Sequence, residues 1–168
     1  MAAELADDHV VAICRVLARH RVDFLIIGGI AARLHQTGYA TVDVDICPSR
    51  DLSNLERLAA ALRELGARLR VEGDPQGVAF DIHVDVLEKM KTMTLITDHG
   101  PLDLCFAPDG FFSGYLALHQ RAVVITVDDT AIPVAALEDV IASKRAAGRP
   151  KDIVALPELE ARLRRSRE

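Results

Sequence analysis

Aromatic residues are scarce in this 168-residue chain, which holds five Phe, two Tyr and no Trp. Its core must therefore be built from Ala, Val, Leu and Ile. No apolar run approaches the roughly 18 residues that a membrane-spanning helix needs. Met1 to Asp8 is acidic and lacks the basic-then-apolar order of a secretion signal. There are only three cysteines, Cys14, Cys47 and Cys105, and their spacing suits neither a disulfide framework nor a metal knuckle. The six histidines show no zinc spacing. The patterns G-x-G-x-x-G and G-x-x-x-x-G-K are both missing, which sets aside the common dinucleotide and P-loop sites. A formal net charge of −5 argues against coating nucleic acid by bulk charge. Repeats, low-complexity tracts and an internal linker are absent too. Together these absences predict one domain over residues 1–168, in a reducing cytoplasmic compartment and off the membrane. Its core is expected over about residues 20–134, with a helical C-terminal part over about 135–168.

The most informative stretch runs from Gly28-Gly29 to Asp43-Val44-Asp45. The glycines close an apolar strand, Phe24 to Ile27, and open a short helix-like run, Ile30 to His35. After Gly38 a second strand is expected over Thr41 to Cys47. Strand side chains alternate, so Asp43 and Asp45 project from one face. Paired hard oxygen ligands beside a bare backbone suggest Mg²⁺ and a phosphate held together.

Elsewhere the periodicity predicts an amphipathic helix over about residues 5–20. Ser53 and Glu56 read as a capping box for a helix with the stripe Leu55, Leu58, Ala59, Leu62 and Leu65, stopped by Gly66. Arg68 to Glu72 reads as a strand, Gly73 to Gly77 as a turn, and Phe80 to His83 as a strand fragment. Thr92 to Thr97 and Leu102 to Phe106 read as a hairpin about His99-Gly100-Pro101. Val123 to Val127 and Ala131 to Val134 form a second hairpin about Asp128-Asp129. Two helices follow, Ala136 to Ala147 and Pro150 to about Arg165. Strands in the middle with helices between and at both ends predict an α/β (α+β) fold, a mixed central sheet with helices packed on it.

Gly28-Gly29-Ile30-Ala31 followed by Thr41-Val42-Asp43-Val44-Asp45 resembles the nucleotidyltransferase superfamily, the fold of polymerase-β-like enzymes. The chain is most similar to small AbiEii-like nucleotidyltransferases, a group that includes toxins of toxin–antitoxin systems. Gly100-Pro101-Leu102-Asp103-Leu104, Leu137 to Lys144, and Gly148-Arg149-Pro150-Lys151-Asp152 continue the match, which spreads over residues 24–156. That family often carries Arg two residues before the Thr, where this chain has Tyr39.

The resemblance implies transfer of NMP from an NTP donor to an acceptor hydroxyl on RNA, protein or a small molecule. It also implies a cognate antitoxin as a candidate partner, and a functional Lys and a later Asp near Lys144 and Asp152. Two metals held by three carboxylates suit that chemistry. Asp43 and Asp45 supply two, and Asp103 on a later strand is the natural third, as metal ligand or base. Asp81 and Asp85 compete for that place. Gly28 and Gly29 would let backbone approach the phosphates, and Thr41 either bonds a phosphate or braces the turn. Lys144 is expected to reach the phosphates, with Lys151 or Asp152 ordering the same corner. The plainer alternative makes Lys144 and its neighbours dipole-compensating cations at a helix end. A second class keeps the fold as a non-catalytic binding or antitoxin-like module, and a third is an antibiotic-modifying nucleotidyltransferase. Strand parity adds that Cys47 and Cys105 lie together beside the acids. His83 is expected to be structural, and the arginines from Arg162 to Arg167 a solvated end.

Overall fold

The structure is a computed structural model that describes the backbone of residues 2–168 and side chains from Asp7 onward. Alternation along the short central strands sorts residues to two faces of a sheet. Phe24 and Ile26 of β1 (Phe24–Ile27), Val44 and Ile46 of β2 (Val44–Pro48), and Leu102 and Leu104 of β6 (Gly100–Cys105) join one buried cluster. Val10, Ile13 and Leu17 of α1 (Ala2–Arg19) and Leu55, Leu58 and Leu62 of α3 (Leu52–Glu64) complete it. Burial of these aliphatic side chains is the main drive for folding here, at roughly 25 cal/mol per Å². The opposite face carries Leu25, Asp45, Cys47, Asp103 and Cys105. Leu25 and Cys47 pack there with Leu118 of α5 (Tyr115–Leu118) in a second, smaller cluster.

The sheet has eight strands in the order β4-β3-β5-β6-β2-β1-β8-β7. The remaining strands are β3 (Arg68–Val71), β4 (Asp74–Val78), β5 (Thr92–Thr97), β7 (Val123–Val127) and β8 (Thr130–Val134). β2 runs parallel to β6, and β1 parallel to β8, while the other neighbours are antiparallel. Four helices remain: α2 (Gly28–Leu34), α4 (Val84–Lys89), α6 (Leu137–Ala147) and α7 (Pro150–Ser166). The expected mixed sheet with packed helices is the observed architecture. Among the described residues no helix is long and apolar enough to cross a membrane.

Several local expectations need correcting. The capping box at Ser53 and Glu56 does not form, because α3 begins at Leu52 with Asp51 as its N-cap. Asn54 sets that start instead. Fully buried, it accepts from Asp23 N at 2.7 Å and donates to Ser49 O at 2.9 Å and Asp23 O at 3.0 Å. Gly73 to Gly77 is not all turn: the turn is shorter, and β4 pairs back on β3. Phe80 to His83 is extended chain outside the sheet, ending where His83 Nδ1 accepts from Asp85 N at 3.2 Å to cap α4. His83 is thus structural, as expected. Thr41 to Asp43 lies outside β2, held by His9 on the Val42 carbonyl and Arg33 on the Thr41 carbonyl, each at 2.8 Å. The C-terminal arginines are not all a free end. Arg162 donates to His35 O at 2.9 Å, and Arg167 pairs with Glu138 at 3.2 Å.

Candidate active site

Register brings the acids together. Asp45 pairs with Ile27 on one side and Asp103 on the other, and Asp103 pairs with Thr94. These four residues form one row across β1, β2, β6 and β5. Two positions further along β2 and β6 the same face carries Cys47 and Cys105, beside Leu25 and Thr92. The thiols therefore lie together next to the acids, as parity suggested. Cys47 is fully buried, and burial pushes its thiol up to about 12, so it packs as a neutral small residue.

Asp43, Asp45 and Asp103 line one cavity of about 380 Å³ with Gly28, Gly29 and Thr41. Lys144, Lys151 and Asp152 also line it, with Tyr39, Asp109, Phe111 and Ser143. Every residue singled out as catalytic or nucleotide-binding thus borders the same space. Asp81 and Asp85, the competing carboxylates, are outside this wall and exposed to solvent.

The glycine pair makes room for side chains as well as for a ligand. Gly28 has φ +65°, and a Cβ there would stand 2.5 Å from Asp45 Oδ2. A Cβ on Gly29 would stand 2.7 Å from both Thr41 Cγ2 and Tyr39 Cε1. Gly28→Ala is therefore expected to strain the backbone and displace the Asp45 carboxylate. A displacement near 1 Å at a reacting centre costs about 100-fold in rate. A melting curve would separate this local displacement from global unfolding, which the change should not cause.

Crowding shows in the electrostatics. Burial, then the charges of Asp103 and Asp43, push Asp45 up to about 7, while Lys151 and Arg70 pull it partly back. Burial also raises Asp103, against the opposing pull of Arg70. Burial would raise Asp152, but Arg149 and Lys144 outweigh it and hold the carboxyl below its ordinary range. Arg149 Nε lies 2.6 Å from Asp152 Oδ2, and Lys144 Nζ lies 3.5 Å from Asp152 Oδ1. Lys144 is only 7% exposed, and its ammonium sits 4.4 Å from the centre of the Tyr39 ring. Lys144 is thus buried at the end of α6 rather than set on its solvated back. Its anionic partner, however, is supplied from within the chain by Asp152.

Three hard carboxylates on one wall suit a divalent cation. Among the described residues no three His, Cys, Asp or Glu side chains are drawn together as metal ligands. Arg70 of β3 stands there instead, with Nη2 at 2.8 and 3.1 Å from the Asp103 oxygens and Nη1 3.4 Å from Asp43 Oδ1. Sequence reasoning passed over Arg70. Its only signal was the i, i+2 pair Arg68 and Arg70, which puts both on one strand face. Asp139, in the first turn of α6, is 1% exposed and ion-paired with Arg121.

No protein-family model and no curated protein matches the sequence. Solved structures do match the fold. One is the antibiotic-resistance factor ANT(2'')-Ia in solution, with TM-score 0.59 and 15% identity, covering 94% of this chain and 85% of that one. Another is a candidate nucleotidyltransferase from Thermotoga maritima, TM1012, with TM-score 0.54 and 18% identity, covering 88% of each chain. At these identities the likeness shows the fold alone, one that this chain shares with both of these proteins.

Proposed function

We propose that this chain is a Mg²⁺-dependent nucleotidyltransferase that moves an NMP unit from an NTP to an acceptor hydroxyl. The observation that carries this reading is the meeting of Asp43, Asp45 and Asp103 in one cavity with the glycine pair. Mg²⁺ ions held by these carboxylates, when bound, would neutralise the triphosphate and acidify the acceptor hydroxyl. Asp103, raised above the ordinary carboxylate range, is the base that takes the acceptor's proton. The resulting oxygen attacks the α-phosphorus, and pyrophosphate leaves with the electron pair of the broken P–O bond. Gly28, Gly29 and Thr41 face the phosphates. Lys151 steers them from the rim, and the Lys144–Asp152 pair braces the wall behind.

The acceptor is RNA, protein or a small molecule. The likeness to AbiEii-like proteins extends the proposal to a toxin with a cognate antitoxin, and ANT(2'')-Ia extends it to a drug acceptor. One observation favours a second reading, a non-catalytic module: Arg70 already neutralises two of the acids. Each α-labelled NTP should be incubated with total RNA, a protein extract, aminoglycosides and lincosamides. Label on one acceptor class that depends on Mg²⁺ and on Asp45 supports the enzyme. No transfer to any of them supports the module.

A further inference from the structure

We infer that Arg70 is a built-in counter-cation that holds the metal-free site and must give way when metal binds. The inference rests on reading Asp43, Asp45 and Asp103 as a metal site. Its grounds are positional. β3 pairs with β5 through Leu69 and Leu95, a register that continues to set Arg70 beside Thr94. Thr94 in turn pairs with Asp103, which pairs with Asp45. Arg70 thus stands at the end of the acid row, and it reaches over the small Thr94 side chain to the carboxylates. Its planar fork takes both oxygens of Asp103 with one nitrogen and Asp43 with the other.

Those oxygens carry the lone pairs a divalent cation would use. A guanidinium held on them competes with the metal by charge repulsion and for the inner lone pairs, so each weakens the other's hold by the same factor. The Arg70 side chain is 31% exposed and sits on a strand near the edge of the sheet, next to β4. It therefore has solvent to swing into without unpacking the core. The consequence is a site that stays neutralised without metal and binds metal more weakly than three bare carboxylates would.

Mn²⁺ binding to the nucleotide-free protein, read from the loss of the free-ion electron paramagnetic resonance signal, tests this. Wild type, Arg70→Gln, Arg70→Lys and Asp45→Asn are compared, with melting curves in chelator and in saturating Mn²⁺. Arg70→Gln is expected to bind Mn²⁺ at least about fivefold more tightly than wild type. It should also melt lower in chelator and recover most of that deficit in Mn²⁺, because the ion replaces the lost charge. Arg70→Lys, which keeps charge but loses the fork, should fall between. Affinity in Arg70→Gln equal to or weaker than wild type, or a deficit that Mn²⁺ does not reduce, overturns the inference while leaving the metal site standing. Binding that Asp45→Asn does not weaken, or no binding in wild type and Arg70→Gln alike, overturns the metal site itself and the inference with it.

Discussion

Asp45→Asn is expected to abolish transfer and at the same time to stabilise the metal-free protein at alkaline pH. Loss of activity follows because the amide cannot supply a charged ligand, and it should exceed about 100-fold. The gain in stability follows from linkage. Asp45 is pushed up to about 7 from an ordinary 3.8, so the folded state holds this proton more tightly than the unfolded state. A raised carboxyl stabilises the fold fully below about pH 4, and that contribution is lost as pH rises through about 7. At pH 8 wild type carries the whole penalty of an ionised, crowded carboxylate, and the amide carries none. The variant should then be the more stable by roughly 2–4 kcal/mol, with the gap closing near pH 4. Urea unfolding across this pH range in chelator measures it, and added Mg²⁺ should reverse the order by stabilising wild type alone. A variant less stable than wild type at pH 8 without metal would make Asp45 a structural residue.

Lys144→Ala is the second large effect. The ammonium is nearly buried, and Asp152 beside it is fully buried. Removing Lys144 leaves that carboxylate with Arg149, whose side chain is 59% exposed, and takes the cation off the Tyr39 ring. Breaking a buried pair from one side costs about 3–5 kcal/mol, and the remaining arginine should hold the loss toward the lower end. Activity should fall by more than about 100-fold, because the cavity lining that Lys144 and Asp152 share loses its brace. Arg145→Ala, one residue on, removes a surface pair with Glu160 worth at most about 1 kcal/mol, and should leave transfer nearly unchanged. Adding Asp152→Asn to Lys144→Ala should recover part of the stability, since no charge is then stranded. Thermal unfolding of wild type, Lys144→Ala, Asp152→Asn and the double variant closes this cycle. Equal, mild effects from Lys144→Ala and Arg145→Ala would reduce Lys144 to a helix-dipole residue.

What the sequence made legible was whatever depends on local period and order. β1 and β5 fall at their expected bounds, and Asp45, Asp103 and the thiols share a face because strand parity decides it, whereas Asp43 lies just outside β2. Site residues from four distant segments meet because their order along the chain follows a fold whose motifs were readable. What escaped depends on strand order and on partners far apart in sequence. Nothing in Arg68 to Val71 says that β3 will lie beside β5, so the reach of Arg70 to Asp103 was hidden. Ser53 and Glu56 satisfied a capping pattern, but Asn54 bonding to Asp23 and Ser49 fixed the helix start elsewhere. The pairing of Lys144 with Asp152 depends on how α6 and α7 pack, which neither segment's own pattern states.

The most direct test of the central claim is a calorimetric titration of the protein with ATP, GTP, CTP and UTP, each with Mg²⁺ and with chelator. If the acid cavity is a metal–nucleotide site, at least one nucleotide binds with Mg²⁺ in the range of about 1 μM to 1 mM usual for enzyme substrates. That binding disappears in chelator and in Asp45→Asn. Nucleotide binding that persists unchanged in chelator and in Asp45→Asn, or no binding of any nucleotide with Mg²⁺, would contradict it.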